Sequence, residues 1–354
     1  MRAATMKSNR EIARERRAGI ATAAALLLLS GCATAAPSSS EVHVWPLPPD
    51  PPRIEFVRQL TSSVDVGEKP SLFSRLLGRI TGKAPIPLVR PSAVFSDGRG
   101  RLFITDTGLQ VLHCFDFNKR EYRQIFHLTG QARLISPVGV AVDDQGRIYV
   151  SDSVLNDIFV FDADGRLHGR VGQPGDYKRV AGIAIGPDDR LYAADVGGHE
   201  IVVYGPDGGK LMTIGKRGGA PGEFNFPSQV AVDRNGTIYV TDSLNFRVQL
   251  FSREGVFLRM FGQAGTRIGS FSKPKGVAVD TEGDIFVVDG LFDVVQIFDQ
   301  QGQLLLHVGG GGADEGRFWL PTGIAIDQQN RIYVADTYNQ RVQIFQLLPI
   351  SAEK

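Results

Sequence analysis

Proton transfer, metal binding and nucleophilic attack need His, Cys, Asp or Glu side chains at spacings that let them converge, and this chain of 354 residues supplies few such groupings. Of its six histidines, His43 lies in a Pro-rich stretch and His199 in a loop, while His113, His127, His168 and His307 fall in strand-like runs at unrelated depths. No His-x-His or Cys-x-x-Cys spacing points to zinc. There is no Gly-x-Ser-x-Gly elbow to present a nucleophile. The run Gly309-Gly310-Gly311-Gly312 precedes no amphipathic helix whose first turn could hold a phosphate. One constellation stays open: His199, Glu200 and Asp293 could converge from separate stretches as ligands of a metal. Beyond that alternative, no catalytic residue, metal or cofactor is expected.

The cysteines carry a different chemistry. Six basic residues between Arg2 and Arg17 precede an uncharged run from Ala18 to Leu29, too short to span a bilayer. Leu29-Ser30-Gly31-Cys32 follows and resembles the bacterial lipobox, whose cysteine is acylated and becomes the mature N-terminus. Cys32 is therefore the expected lipidation site, residues 1–31 a secretory signal peptide, and residues 32–52, Ser-rich and then Pro-rich, a tether. Each buried methylene of a lipid contributes about 0.8 kcal/mol, so more than one acyl chain gives stable anchoring. Ala33 after the cysteine favours the periplasmic face of the outer membrane over inner-membrane retention. Loss of the leader removes six basic and two acidic residues, leaving 33 basic against 36 acidic and a net charge of −3. Neither charge nor export suggests nucleic acid as a partner. Cys114, within the apolar run Val111-Leu112-His113-Cys114-Phe115, reads as a small buried hydrophobe.

Any site must be positioned by a repeat. Aligning the copies on the aspartate that closes a recurrent apolar run gives Asp106, Asp152, Asp195, Asp242, Asp289 and Asp336, spaced 46, 43, 47, 47 and 47 residues apart. Each copy but the last holds four runs rich in Val, Ile, Tyr and Phe, separated by Gly- or Asn-bearing turns, and helical periodicity is essentially absent. In the fourth copy the runs are Val230 to Asp233, Thr237 to Thr241, Arg247 to Phe251 and Val256 to Phe261. A unit of this kind cannot bury its faces alone, so its neighbours must cover it. The six aspartates, present in every copy, are expected to serve the blade as turn acceptors, and Phe224, Phe271 and Phe318 to pack between blades.

PSQVAVDRNGTIYVTDSLNFRVQLF from Pro227 and DTYNQRVQIF from Asp336 resemble the NHL-repeat family. The resemblance covers roughly residues 91–345 and implies an all-β, six-bladed β-propeller, with a metal-dependent lyase or hydrolase site at the channel mouth as the alternative to a binding scaffold. Copy one departs with Ser96 at the turn aspartate, and copy three with Val180 for proline and Gly186 for aspartate. The sixth copy ends at Phe345 without a fourth strand. The alternating segment Arg53-Ile54-Glu55-Phe56-Val57-Arg58-Gln59-Leu60 is expected to supply it and close the ring, giving a propeller over residues 53–348. Between that strand and the first copy lies a long insertion, about residues 65–90. Its stretch Ser71 to Ile80 has the apolar spacing of a short amphipathic helix, either a lid on the propeller or a membrane-surface element.

Propeller topology gathers the loops between second and third strands, and the linkers between blades, on one face around the channel. Residues there that break the repeat are the binding candidates: His199, Gln229, Phe246, Lys275, Leu291, Phe292, Trp319 and Tyr338. Arg247 and Arg341, in the recurrent phrase Asn-x-Arg-Val-Gln, either brace the blade or join that surface. Aromatic and apolar residues with few competing charges describe an interaction surface for an envelope protein or another extracytoplasmic ligand. The expected molecule is a monomeric, lipid-anchored scaffold.

Overall fold

The computed structural model describes residues 43–67 and 84–349. The amphipathic stretch Ser71 to Ile80 and the lipidation candidate Cys32 lie outside them. Within them are six antiparallel sheets, and in five of them the strands pair in chain order. Blade one comprises Pro91–Ser96, Arg101–Asp106, Val111–Asp116 and Glu121–Ile125. Blade two comprises Pro137–Val142, Ile148–Asp152, Asp157–Phe161 and Leu167–Val171. Blades three to five repeat the plan from Val180 to Ile214, Pro227 to Phe261 and Pro274 to Gly309. The middle strands of blades two, four and five are buried along their whole length, for example Ile238–Asp242 and Arg247–Phe251, as runs without alternation demand when a sheet is covered on both faces.

Burial falls into six clusters, each shared by two neighbouring blades. One joins Phe286 and Val295 of blade five to Val334 and Phe345 of blade six, and another joins Tyr333 and Val342 of blade six to Leu102 and Phe115 of blade one. The remaining four link blades one to five in order, so the sheets form a closed ring. Phe224, Phe271 and Phe318 have no exposed surface and stack on Phe251, Phe298 and Phe345 at centroid distances of 5.5, 5.5 and 5.9 Å. On the channel side, Thr322 Oγ1 donates to Ser92 O and Thr337 Oγ1 to Pro91 O, each at 2.8 Å, which ties blade six to blade one.

Blade six holds Ile324–Ile326, Arg331–Asp336 and Arg341–Leu347, and its fourth strand is Ile54–Leu60, paired antiparallel from Ile54↔Leu347 to Leu60↔Val342. The closing strand read from the sequence is in place. The folded part starts earlier than the tether reading has it, since Val44–Trp45 adds a fifth strand on Ile54–Leu60. The cause is Trp45, whose indole packs edge-on against Phe345 at 5.7 Å over Gly316, where a Cβ would fall 2.3 Å from the ring. The first copy also needs correction. Asp97, one residue after Ser96, accepts from Arg101 N–H at 2.9 Å, the contact Asp143 makes with Arg147 at 2.8 Å, so its turn is regular. The insertion leaves and re-enters through a paired neck, with Ser63 N–H on Ile86 O and Leu88 N–H on Thr61 O, both 2.8 Å. Among the described residues no helix is long and apolar enough to cross a membrane.

Candidate functional site

One end of the ring is built from the loops after the second strands and from the linkers that open each blade. The closing aspartates organise it. Asp106 accepts from Val89 and Arg90 N–H of the linker at 2.7 and 3.0 Å and from Gly108 and Leu109 N–H of its loop at 2.8 and 3.0 Å. Asp152 repeats this with Ile135, Ser136, Val154 and Leu155. Burial alone pushes the Asp106 carboxyl up, but the contact with His113 and the backbone N–H bonds outweigh it and hold the group down at about 2.

Arg247 and Arg341 belong to this frame and are withdrawn from any ligand. Each is almost fully buried. Arg247 Nε donates to Asp242 Oδ2 at 2.8 Å, and its Nη atoms donate to the carbonyls of Gly219, Ala220 and Glu223 at 2.8–2.9 Å. Arg341 does the same to Asp336, Ala313, Asp314 and Arg317, and also donates to Gln59 Oε1 at 2.8 Å, locking the closing strand.

The remaining candidates divide by position. Two residues after each closing aspartate stand Gly108, Val154, Gly197, Leu244, Leu291 and Tyr338, so four blades present an apolar side chain at one equivalent point. Val154, Leu244 and Leu291 are more than half exposed, and Tyr338 is 43% exposed. Trp319, in the last linker, is 53% exposed and packs on Tyr338 at 5.6 Å. The Arg90 guanidinium lies 5.5 Å from the Tyr338 ring centre. Phe292 is half-buried beside Leu291, whereas Phe246 turns inward onto the cluster between blades four and five.

The last residue of each such loop has positive φ, and at two places it pins the next linker. His199 Nδ1 accepts from Phe226 N–H at 3.2 Å, and Asp293 Oδ1 accepts from Leu320 N–H at 2.7 Å. Phe226 and Leu320 are themselves left-handed, at φ 57° and 48°, a costly conformation for bulky side chains. His199 and Asp293 thus hold linker backbone, and Glu200 opens the third strand of its blade, paired with Asp195. Among the described residues no group of three or more His, Cys, Asp or Glu side chains is placed to hold a metal.

Around the channel, the residues preceding the six blade-opening positions are Arg90, Ser136, Arg179, Phe226, Lys273 and Leu320. Three are cations, and all three escaped the sequence reading. A tally of the residue just before each Pro91-type position could have found them. Lys275 and Gln229 sit on adjacent innermost strands just inside this ring. A separate cleft between blades two and three, lined by Tyr149, His168 and Gly205 among others, already has its cations matched, Arg147 by Asp143 at 2.5 Å and Arg170 by Asp157 at 2.7 Å.

Fold and rim together define a six-bladed β-propeller with NHL repeats. The NHL-repeat pattern matches residues 224–251 and 318–345, which are blades four and six, and the pattern of a 6-bladed beta-propeller family matches residues 127–214. No curated protein matches the chain in sequence. Among solved structures it is similar to a gluconolactonase from Xanthomonas campestris, at 17% identity over 83% of this chain and 98% of that one, with a TM-score of 0.58. It is also similar to virginiamycin B lyase from Staphylococcus aureus, at 15% identity over 73% of this chain and 96% of that one, TM-score 0.56. A protein of unknown function from Bacteroides thetaiotaomicron matches at 15% identity over 75% of this chain and 71% of that one, TM-score 0.58. At such identities the likeness shows the fold alone.

Proposed function

We propose that this propeller is an interaction scaffold that docks a protein of the bacterial envelope on its loop face, and that lipid on Cys32 anchors it to a membrane, with the periplasmic face of the outer membrane as its station. The observation that carries the reading is the exposed apolar arc of Val154, Leu244, Leu291 and Tyr338, set at equivalent points of the ring, with Trp319 packed on Tyr338. Scattered apolar exposure is ordinary, but large aliphatic and aromatic side chains repeated on one face mark a docking surface. The anchoring half rests on the sequence from Leu29 to Cys32.

A metal-dependent lyase or hydrolase needs convergent donors. Here His199 Nδ1 and Asp293 Oδ1 are committed to linker N–H groups, and no observation on this face favours that chemistry.

The test is crosslinking and capture from intact cells with the wild-type chain, a Trp319→Ala/Leu291→Ala variant and a Cys32→Ala variant. The expected outcome is at least tenfold less of the crosslinked protein with the double variant at unchanged melting temperature, and release of Cys32→Ala from the membrane fraction. Equal recovery from the double variant removes the docking surface, and membrane retention of Cys32→Ala removes the anchor.

A further inference from the structure

Just inside the loop face, the residue after each blade-opening position is Ser92, Val138, Ala181, Ser228, Lys275 or Thr322. Only one of these six is charged. Gly290 faces the Lys275 side chain: a Cβ there would lie 3.7 Å from Lys275 Cγ, in ordinary van der Waals contact. In blades four and six the equivalent neighbours are Ser243 and Thr337, which instead bond Ser228 and Thr322 at 2.7 and 2.8 Å. Lys275 is half-buried, and among the described residues its ammonium has neither a hydrogen-bond acceptor nor a carboxylate in ion-pair range. Its charged neighbours are cations, Lys273 in the adjoining linker and Arg179 two blades back, the latter lying 5.7 Å from the Phe226 ring centre. Burial first, and those two charges second, hold the Lys275 ammonium below the usual lysine range.

A second feature sits on the adjacent strand. Where five blades have Ala93, Gly139, Gly182, Gly276 and Gly323, blade four has Gln229, folded over Gly182. Gln229 Oε1 and the Oγ1 of its cross-strand partner Thr241 are both buried without a hydrogen-bond partner. In blade one the equivalent hydroxyl, on Thr105, is bonded to Ala93 N–H at 2.9 Å. Native proteins pair nearly all such atoms and rarely leave a half-buried ammonium facing only like charges, because both arrangements cost free energy. The channel mouth between blades three and five therefore combines cationic groups without counterions and polar atoms without partners.

We infer that this mouth binds a small ligand bearing an oxyanion, a carboxylate or a phosphate, with Lys275 as the inner contact and Lys273 and Arg179 at the rim. An anion restores the missing countercharge, and the half-buried Gln229 amide hydrogen-bonds the rest of the ligand. The inference goes beyond the docking reading and does not depend on it, since small anions bind or fail to bind with no partner protein present.

Calorimetric titration at low ionic strength with inorganic phosphate and, separately, succinate tests it on the wild-type protein and on Lys275→Met, Arg179→Gln and the remote control Lys210→Met. Expected are saturable one-to-one binding of at least one probe, weakening as salt rises. Affinity should fall at least tenfold in Lys275→Met and about threefold or more in Arg179→Gln, with Lys210→Met unchanged. The preferred probe tells phosphate from carboxylate. Absence of saturable binding of both probes to the wild type overturns the inference, as does wild-type affinity in both Lys275→Met and Arg179→Gln. Arg179 is exposed, so that variant reads out even if Lys275→Met proves unstable.

Discussion

Single side chains at the rim divide into those that hold the frame and those with nothing to hold. Asp106 belongs to the first kind, with no exposed surface, four backbone N–H bonds and His113 Nε2 at 3.3 Å. A carboxyl brought from its ordinary 3.8 to about 2 contributes roughly 2 kcal/mol to stability. Because the folded value is the lower one, that contribution is fully present above about pH 4 and is lost as pH falls towards 2. Asp106→Asn is therefore expected to lower the unfolding free energy by about that amount at pH 7, with the gap to wild type narrowing in urea melts taken at pH 4 and then 2.5. A gap that persists undiminished at pH 2.5 means that ionisation of Asp106 is not what stabilises the linker. Lys275 is the opposite case, with burial and like charges both working against its ammonium. Cys114 is inert by burial, which pushes its thiol up to about 12.

At the scale of loops and strands, sequence and structure agree where the repeat speaks and part where it is silent. The phrase Asn-x-Arg-Val-Gln was legible as a unit, and its members act as one: Asn245 and Gln249 join Arg247 on Asp242 Oδ2, at 2.8 and 3.2 Å for the two amides. The closing strand was legible because alternation in Arg53 to Leu60 had no partner nearby and the last copy lacked an edge. The anion site was legible only in part, through Gln229 and Lys275. Arg179, Gln229 and Lys275 lie on three different blades, and only ring geometry makes them neighbours. The early start at Val44 was hidden for a related reason, since a two-residue strand has no periodicity and depends on Trp45 finding Phe345, some 300 residues later. The buried Arg341 gives the sharpest test at this scale. Removing one partner of a buried ion pair costs about 3–5 kcal/mol because the other is left uncompensated. Arg341→Met should destabilise by that order in denaturant melts and free the strand Ile54–Leu60 for hydrogen exchange. Arg331→Met, at an exposed site of the same blade, should change neither. Equal effects of the two substitutions would sever the link between the Arg341 network and closure.

For the whole molecule, the consequential fact is that the last blade takes its fourth strand from the front of the chain. A linear stack of sheets would leave an inner cluster uncovered at each end, whereas here the cluster holding Val342 and Leu102 is continuous between blades six and one. Closure also removes the unpaired edge of Arg341–Leu347, which would otherwise invite association with another chain. The covalent route between the closing strand and blade one runs through the insertion, whose neck is pinned by the Thr61–Leu88 and Ser63–Ile86 bonds. Cutting the chain there with an engineered protease site between Gly67 and Ala84 separates two roles, strand pairing and tethering. Pairing survives the cut, since Ile54, Leu60 and Phe56 remain packed on blades five, six and one, so the fragment stays bound in native buffer. Tethering does not survive, and the loss of effective concentration makes unfolding bimolecular in the reverse direction. The nicked protein should elute as one species at neutral pH and melt well below the intact chain. Its midpoint should rise as protein concentration increases, while that of the intact chain stays fixed. Release of the fragment without denaturant would place the stability of the ring in its covalent continuity instead of in the sixth blade's pairing.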